Sequence, residues 1–249
     1  MKCFDFVLFQ SYRIEYNSIC LPEHTGTHVD APAHFVEGKM RIDDIPLSRL
    51  ISSAARVDIS KKAQTDRDYG MTVKDLQDWE EIHGRIPDGS LLFVYTGWGA
   101  FYPDRLAYQG TTRNDTSQDD QGRSLVHSPG VGRDAAEWLV ANRKIAGVGI
   151  DGPSIDRGLE TMVPTHHILF DANIYAMENV ANLDQLPNTG AKVFVLPMNI
   201  VDGSGAPARI VAMLDESGTS GAATLSTAFV ISVSLLVISV SLLAPNFLI

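Results

Sequence analysis

Five short apolar runs, rich in β-branched residues and bounded by turn residues, recur along the first 214 positions. They are AARVDIS (54–60), LLFVYTG (91–97), AGVGID (146–151), KVFVLPM (192–198) and RIVAML (209–214). Runs of this length read as strands rather than helices. Helical patterns lie between them. In MTVKDLQDWEEIHG (71–84), Val73, Leu76, Trp79 and Ile82 recur every three residues. Thr72 with Asp75 three positions later reads as an N-cap, and Gly84 as a stop. A second helix is expected over 132–144, with Ala136, Leu139 and Val140 forming its apolar stripe. Strands alternating with helices predict one α/β domain over residues 1–215, with no internal repeat. The polar, turn-rich stretch 102–124 reads as a long surface loop.

Within this pattern, HTGTHVDAPAHF (24–35) gathers three of the seven histidines around one aspartate. Such polar groups, buried together without partners, would destabilise the fold. In an extended strand, residues two or four apart share a face, so His24, His28, Asp30 and His34 would all line one side. Gly26 permits unusual torsions, and Pro32 ends any regular ladder. A helix would keep His24 beside His28 but rotate Asp30 away. Imidazole nitrogen with carboxylate oxygen is a ligand set for Zn2+, Mn2+ or Fe2+. A nucleophilic Ser-His-Asp triad, the alternative to metal chemistry, lacks its Gly-x-Ser-x-Gly elbow in this chain.

The motif His-x-Gly-Thr-His-x-Asp-x-Pro-x-His-Phe resembles the signature of the cyclase-like metal-dependent hydrolases, which include bacterial-type kynurenine formamidase and isatin hydrolase. TGW (96–98), HSPG (127–130), GVGIDGPSID (147–156) and THHILFDANIYAMENVANL (165–183) resemble further family segments. The similarity runs from about residue 12 to 214. It implies a swivelling β/β/α cyclase-like fold with a mixed sheet, usually oligomeric, hydrolysing an amide bond in a small aromatic or cyclic substrate. It also implies a divalent metal, Zn2+ or Mn2+, as one or two ions. The resemblance makes His24, His28 and Asp30 ligands of a first ion, joined by a histidine and a glutamate twelve residues apart. His166 and Glu178 have that separation, which leaves His167 as a neighbour. Glu178, where isatin hydrolase has glutamine, leans toward the formamidase pattern. Asp30 and Glu178 could bridge two ions, giving Glu178 a catalytic part. His34 matches the proton donor and acceptor, acting on a water whose pKa the metal lowers to about 7.

Other residues keep two readings. Trp98 and Tyr102 would stack on an aromatic substrate, or Trp98 would belong to core or rim. His127 would bind substrate or shape a turn, and Asp151 would orient a ligand histidine or cap a turn. His83 is expected at a helix end without a catalytic part. Relative to the family, the segment before the motif is expected to be truncated.

A net charge of −10 without clustered Lys or Arg excludes a nucleic-acid partner. The two cysteines, Cys3 and Cys20, form no Cys-x-x-Cys, and Cys20 is expected as a buried apolar thiol. The start is a poor signal peptide. Residues 216–249 form a separate tail. Its charge-free stretch 222–244 is long enough to cross a bilayer, and the small residues 217–223 before it also fit a glycolipid-anchor signal. The contrasting reading is a buried strand pair. Absent an anchor, the chain is expected in the cytoplasm. NDT (114–116) is a glycosylation sequon. Three functions are therefore expected to compete: arylformamidase action on N-formyl-L-kynurenine, opening of a cyclic amide such as isatin, or a membrane-tethered metal-binding homologue without turnover.

Overall fold

The computed structural model describes residues 2–9, 12–112, 118–214 and 236–238. Strands β1 (Lys2–Phe9) and β2 (Tyr12–Ile19) form an antiparallel hairpin ahead of the His/Asp motif. The remaining strands are β3 (His28–Asp30), β4 (Ile51–Asp58), β5 (Gly70–Met71), β6 (Leu91–Tyr95), β7 (Gly130–Val131), β8 (Gly147–Ile150), β9 (Tyr175–Glu178), β10 (Ala191–Pro197), β11 (Gly205–Leu214) and β12 (Leu236–Ile238). Helices α1 (Leu47–Leu50), α2 (Ser60–Thr65), α3 (Val73–His83), α4 (Arg105–Gln109), α5 (Arg133–Asn142) and α6 (Pro164–Asp171) punctuate them.

Seven strands run in the order β10-β4-β6-β8-β9-β3-β11, and a further pairing of β10 with β11 closes the ring. The sheet is mixed: β4, β6, β8 and β9 are parallel neighbours, while β3, β10 and β11 pair antiparallel. Closure leaves no bare edge among these seven strands, and alternate residues fill the inside. On β6, Leu91 and Phe93 join the interior cluster with Tyr175, Met177, Val193 and Ile210. Leu92 and Val94 point the other way and pack with Leu76, Leu139, Leu169 and Phe170 from α3, α5 and α6. The three long helices thus cover the outer face of the parallel strands.

The five apolar runs all form strands. Thr72 and Asp75 make a reciprocal capping box on α3, which stops at Gly84. The expected apolar stripes are narrower in the fold, since Ile82 is 75% exposed and Val140 38%. Residues 102–124 are more than a surface loop. They contain α4, capped by Asp104, and α4 buries Tyr108. Cys20 is exposed, not buried, because it sits in the open connection after β2. The sequon lies outside the described residues, as does the tail except for Leu236–Ile238, which pair antiparallel with β11. No helix among the described residues is long and apolar enough to cross a membrane.

The glycines of AGVGID have a packing reason. A Cβ on Gly149 would lie 2.6 Å from the Phe93 ring, and one on Gly147 would lie 2.8 Å from Tyr175. The parallel strands hold these two rings against bare backbone. Gly149→Ala is therefore expected to destabilise the chain by about 1–3 kcal/mol through overpacking; urea denaturation reads this directly, and an unchanged midpoint would contradict the packing.

Candidate metal centre

The motif is extended only over β3. Gly26, at φ +64°, turns the chain before the strand, and Pro32 opens a 3-10 turn over Pro32–His34 after it. The four polar residues therefore do not share one long extended face. The turns instead fold the flanking histidines back over the strand. His24 and His34 stack with ring centroids 3.7 Å apart, and His24 meets His28 edge-on at 5.3 Å. Gly205 on the paired β11 leaves room for this, since a Cβ there would lie 2.5 Å from His24 Cε1.

Strand register brings in the distant ligand candidates. His28 pairs directly with Glu178 across β3 and β9. Because alternate side chains take opposite faces, Val29 and Met177 enter the interior while His28, Asp30 and Glu178 face outward toward α6. His166 lies in the first turn of α6 and completes the group. Asp30 Oδ1 is 2.6 Å from His24 Nδ1 and 2.9 Å from His28 Nε2. Asp30 Oδ2 is 3.3 Å from His166 Nε2, which is also 3.1 Å from Glu178 Oε1. Glu178 Oε2 lies 3.6 Å from His28 Nε2. Two triads result, His24–His28–Asp30 and Asp30–His166–Glu178, each with its ligand atoms within 4.8 Å of one another. Asp30 belongs to both. Only His24 is partly exposed; the other four are buried.

The charges in this cluster conflict. His28 Nδ1 faces the Gly26 carbonyl at 2.9 Å, and a carbonyl only accepts, so the N–H sits there. In a neutral ring the buried Nε2 is then a lone pair directed at Asp30 and Glu178, without a hydrogen-bond partner. Its 2.9 Å approach to Asp30 is a contact between two acceptors unless a positive charge intervenes. A divalent cation satisfies every one of these groups, and imidazole nitrogen with carboxylate oxygen is the donor set that Zn2+ or Mn2+ takes. In the chain alone a proton does the same work. Burial pushes the His28 pKa down, but the Asp30 charge and hydrogen bond, with Glu178, bring it up to about 9. His166 is also raised: burial opposes this, and the acceptors Asp156, Asp30 and Glu178 outweigh it. Asp30 is held well below the usual carboxylate range; burial works against this, and the surrounding histidines prevail. His34 goes the other way. Burial, partly offset by Asp30 and reinforced by His24 and His166, lowers it to about 4, so its ring is neutral at pH 7.

Two supports were not visible in the sequence. Asp156, not Asp151, touches a candidate ligand histidine, with Oδ2 2.5 Å from His166 Nδ1. Asp151 instead accepts from the Thr96 N–H and hydroxyl and from the Gly99 N–H, pinning the TGW turn. Asp156 lies inside the segment GVGIDGPSID, five residues past Asp151. Ser204 Oγ lies 3.0 Å from His24 Nε2 and donates to Glu23 at 2.6 Å, a link across 180 positions with no local signal.

A small pocket of about 60 Å3 lies beside the cluster, and Gly26, Tyr102, Tyr108, Asp151, Asn179 and Val180 are among the residues that line it. Gly26 separates His24 from His28, and Asn179 follows Glu178. Trp98 stands behind this wall, buried, its indole N–H donating to the Tyr108 carbonyl at 2.8 Å. His127 is away from the lining and pairs with Asp68 at 2.8 Å. His167 packs near Phe35 at 5.7 Å, outside both triads, and His83 rests on Trp79 at the end of α3.

A family model described as "Putative cyclase" matches residues 2–157, more than half of the 249-residue chain. The chain belongs to this cyclase family. Isatin hydrolase of Roseibium aggregatum is 33% identical over 210 residues, covering 81% of this chain and 76% of that protein. Kynurenine formamidase of Salinibacter ruber is 29% identical over 198 residues, covering 80% and 79% respectively. Among solved structures, isatin hydrolase A from Ralstonia solanacearum aligns with a TM-score of 0.71 at 30% identity, covering 85% of this chain and 81% of that one. The cyclase-family chain thus stands among hydrolases, with a His/Asp/Glu cluster that fits a metal ion.

The raised His28 pKa has a consequence for stability. A group raised from about 6.5 to about 9 on folding contributes stability that is fully present below pH 6.5 and lost as pH rises through 9. Chelator-treated protein is therefore expected to melt at progressively lower temperature between pH 6.5 and 9, and saturating Zn2+ to abolish that decline. Thermal melts at constant ionic strength check this; a flat metal-free profile would refute the charge balance described.

Proposed function

We propose that this chain is a divalent-metal-dependent hydrolase that cleaves the carbon–nitrogen bond of an amide in a small aromatic substrate. The observation that carries the reading is the buried His28 Nε2, left facing Asp30 and Glu178 as a donor site for a proton or a metal ion because the ring's other nitrogen is committed to the Gly26 carbonyl. His24, His28 and Asp30 would hold one cation and Asp30, His166 and Glu178 a second or shared position. When bound, such a cation polarises a carbonyl and brings the pKa of a water to about 7.

The chain's own residues do the rest. Asp30 and Glu178 keep the charge of the cluster negative enough to retain a dication while the histidines supply neutral donors. His34, neutral at pH 7 and held by its stack on His24, takes the proton from the attacking water and delivers it to the departing nitrogen. The cavity along Tyr102, Tyr108 and Val180 offers an aromatic wall for the substrate ring. Trp98 then supports that wall through Tyr108, while His127, paired with Asp68, takes no part in the wall.

N-formyl-L-kynurenine is the leading substrate, because Glu178 stands at the position implied to distinguish formamidases. Isatin is the second reading, favoured by the 33% identity to an isatin hydrolase and the 0.71 TM-score to another. Full-length protein assayed with Zn2+ or Mn2+ against both compounds decides between them. Formation of kynurenine and formate supports the first, ring opening of isatin the second. Bound metal with neither activity would support the reading of a metal-binding homologue without turnover.

Two substitutions separate the roles. His28→Ala is expected to lose bound metal, measured by elemental analysis after dialysis, and metal retained at the wild-type ratio would remove His28 from the ligand set. His34→Ala should keep its metal but lower kcat by about 10^2–10^4-fold, the usual contribution of a positioned acid–base group.

A further inference from the structure

Helix α6 lacks a cap of its own. Val163 makes no side-chain capping bond, and Pro164 occupies the first turn, leaving the N–H groups of Thr165 and His166 without helical partners. Asp156, from the loop after β8, supplies both acceptors. Its Oδ1 takes the Thr165 N–H at 2.7 Å and its Oδ2 the His166 N–H at 3.1 Å. The same Oδ2 lies 2.5 Å from His166 Nδ1. An ionised carboxylate only accepts, so this nitrogen carries the ring N–H. A neutral imidazole then has its lone pair on Nε2, between Asp30 Oδ2 and Glu178 Oε1.

The three histidines of the cluster differ in what holds the far nitrogen. For His28 it is the Gly26 carbonyl, and for His24 the Ser204 hydroxyl. Only His166, among the three, rests directly on a carboxylate, and charge-assisted bonds are roughly twice as strong as neutral ones. The loop bearing Asp156 is itself fixed. A Cβ on Gly130 would fall 2.5 Å from the Asp156 carbonyl carbon and from the Arg157 nitrogen, and the Val131 N–H donates to the Ile155 carbonyl at 2.8 Å. The Ile155 N–H in turn donates to Glu178 Oε1 at 2.9 Å. One short loop thus grips two of the three members of the Asp30–His166–Glu178 triad.

We propose that Asp156 is a positioning residue that fixes His166 as an Nε2 ligand and sets how tightly this triad holds a divalent cation. The assignment rests on the metal reading above and goes beyond it by giving the loop after β8 a task other than capping a helix. Asp156→Asn separates the two tasks. Wherever its single oxygen settles, asparagine still accepts from one N–H of α6, Thr165 or His166, but it lacks the carboxylate charge on which the Nδ1–H rests.

The experiment is a Zn2+ titration of the full chain against a chromophoric chelator, with 15N spectra of the histidine rings in the Zn2+-loaded protein. Wild type is expected to show the His166 proton on Nδ1, and Asp156→Asn to bind Zn2+ about 10–100-fold more weakly. Zn2+ affinity of Asp156→Asn within threefold of wild type, whatever its melting temperature, would leave Asp156 as a helix cap and overturn the proposal. So would a wild-type His166 protonated on Nε2, a measurement that does not depend on any variant folding. Failure of the wild type to take up Zn2+ would instead overturn the metal reading itself.

Discussion

Asp30 and Glu178 are buried carboxylates aimed at the same imidazole nitrogens, and the surrounding structure is arranged to hold that otherwise unfavourable grouping together. Buried charges of one sign persist only with a counter-charge. Here each histidine turns one nitrogen toward the carboxylates and ties the other to a fixed acceptor. The arrangement has one stable resolution at neutral pH, a positive charge at the centre, carried by protons in the chain alone or by a metal ion when one is supplied.

The closed sheet makes such a centre affordable. Its interior is filled by large apolar side chains, so the polar residues of β3 and β9 are left to the outer face, where α6 covers them. Register then does what sequence proximity cannot: pairing of His28 with Glu178 joins segments 150 residues apart. The glycines serve the same end. Gly205 admits the His24 ring, and Gly130 lets the Asp156 loop approach.

Much of this was legible before any coordinates. The strand runs and the capped α3 follow from local rules of period and capping and appear where those rules put them, whereas the histidines meet Asp30 through turns rather than along one extended face. Three residues show where local rules stop. Trp98 reads equally as a stacking surface or as core, and only the fold buries it behind Tyr108, with a hydrogen bond to that residue's backbone. Asp151 and Asp156 are the same residue type in one short segment, and only the path of the loop separates the residue that pins Thr96 from the one that holds His166. Cys20 has the composition of a core residue but lies on an open connection.

The sequence by itself determined the element types and the gathering of imidazole and carboxylate groups over residues 24–34, because each depends on residues close together in the chain. The tertiary structure decided which donors meet, which nitrogen of each ring faces the centre and what stands behind it. Those are matters of direction and distance between groups as far apart as His24 and Ser204, and only strand pairing and helix docking fix them.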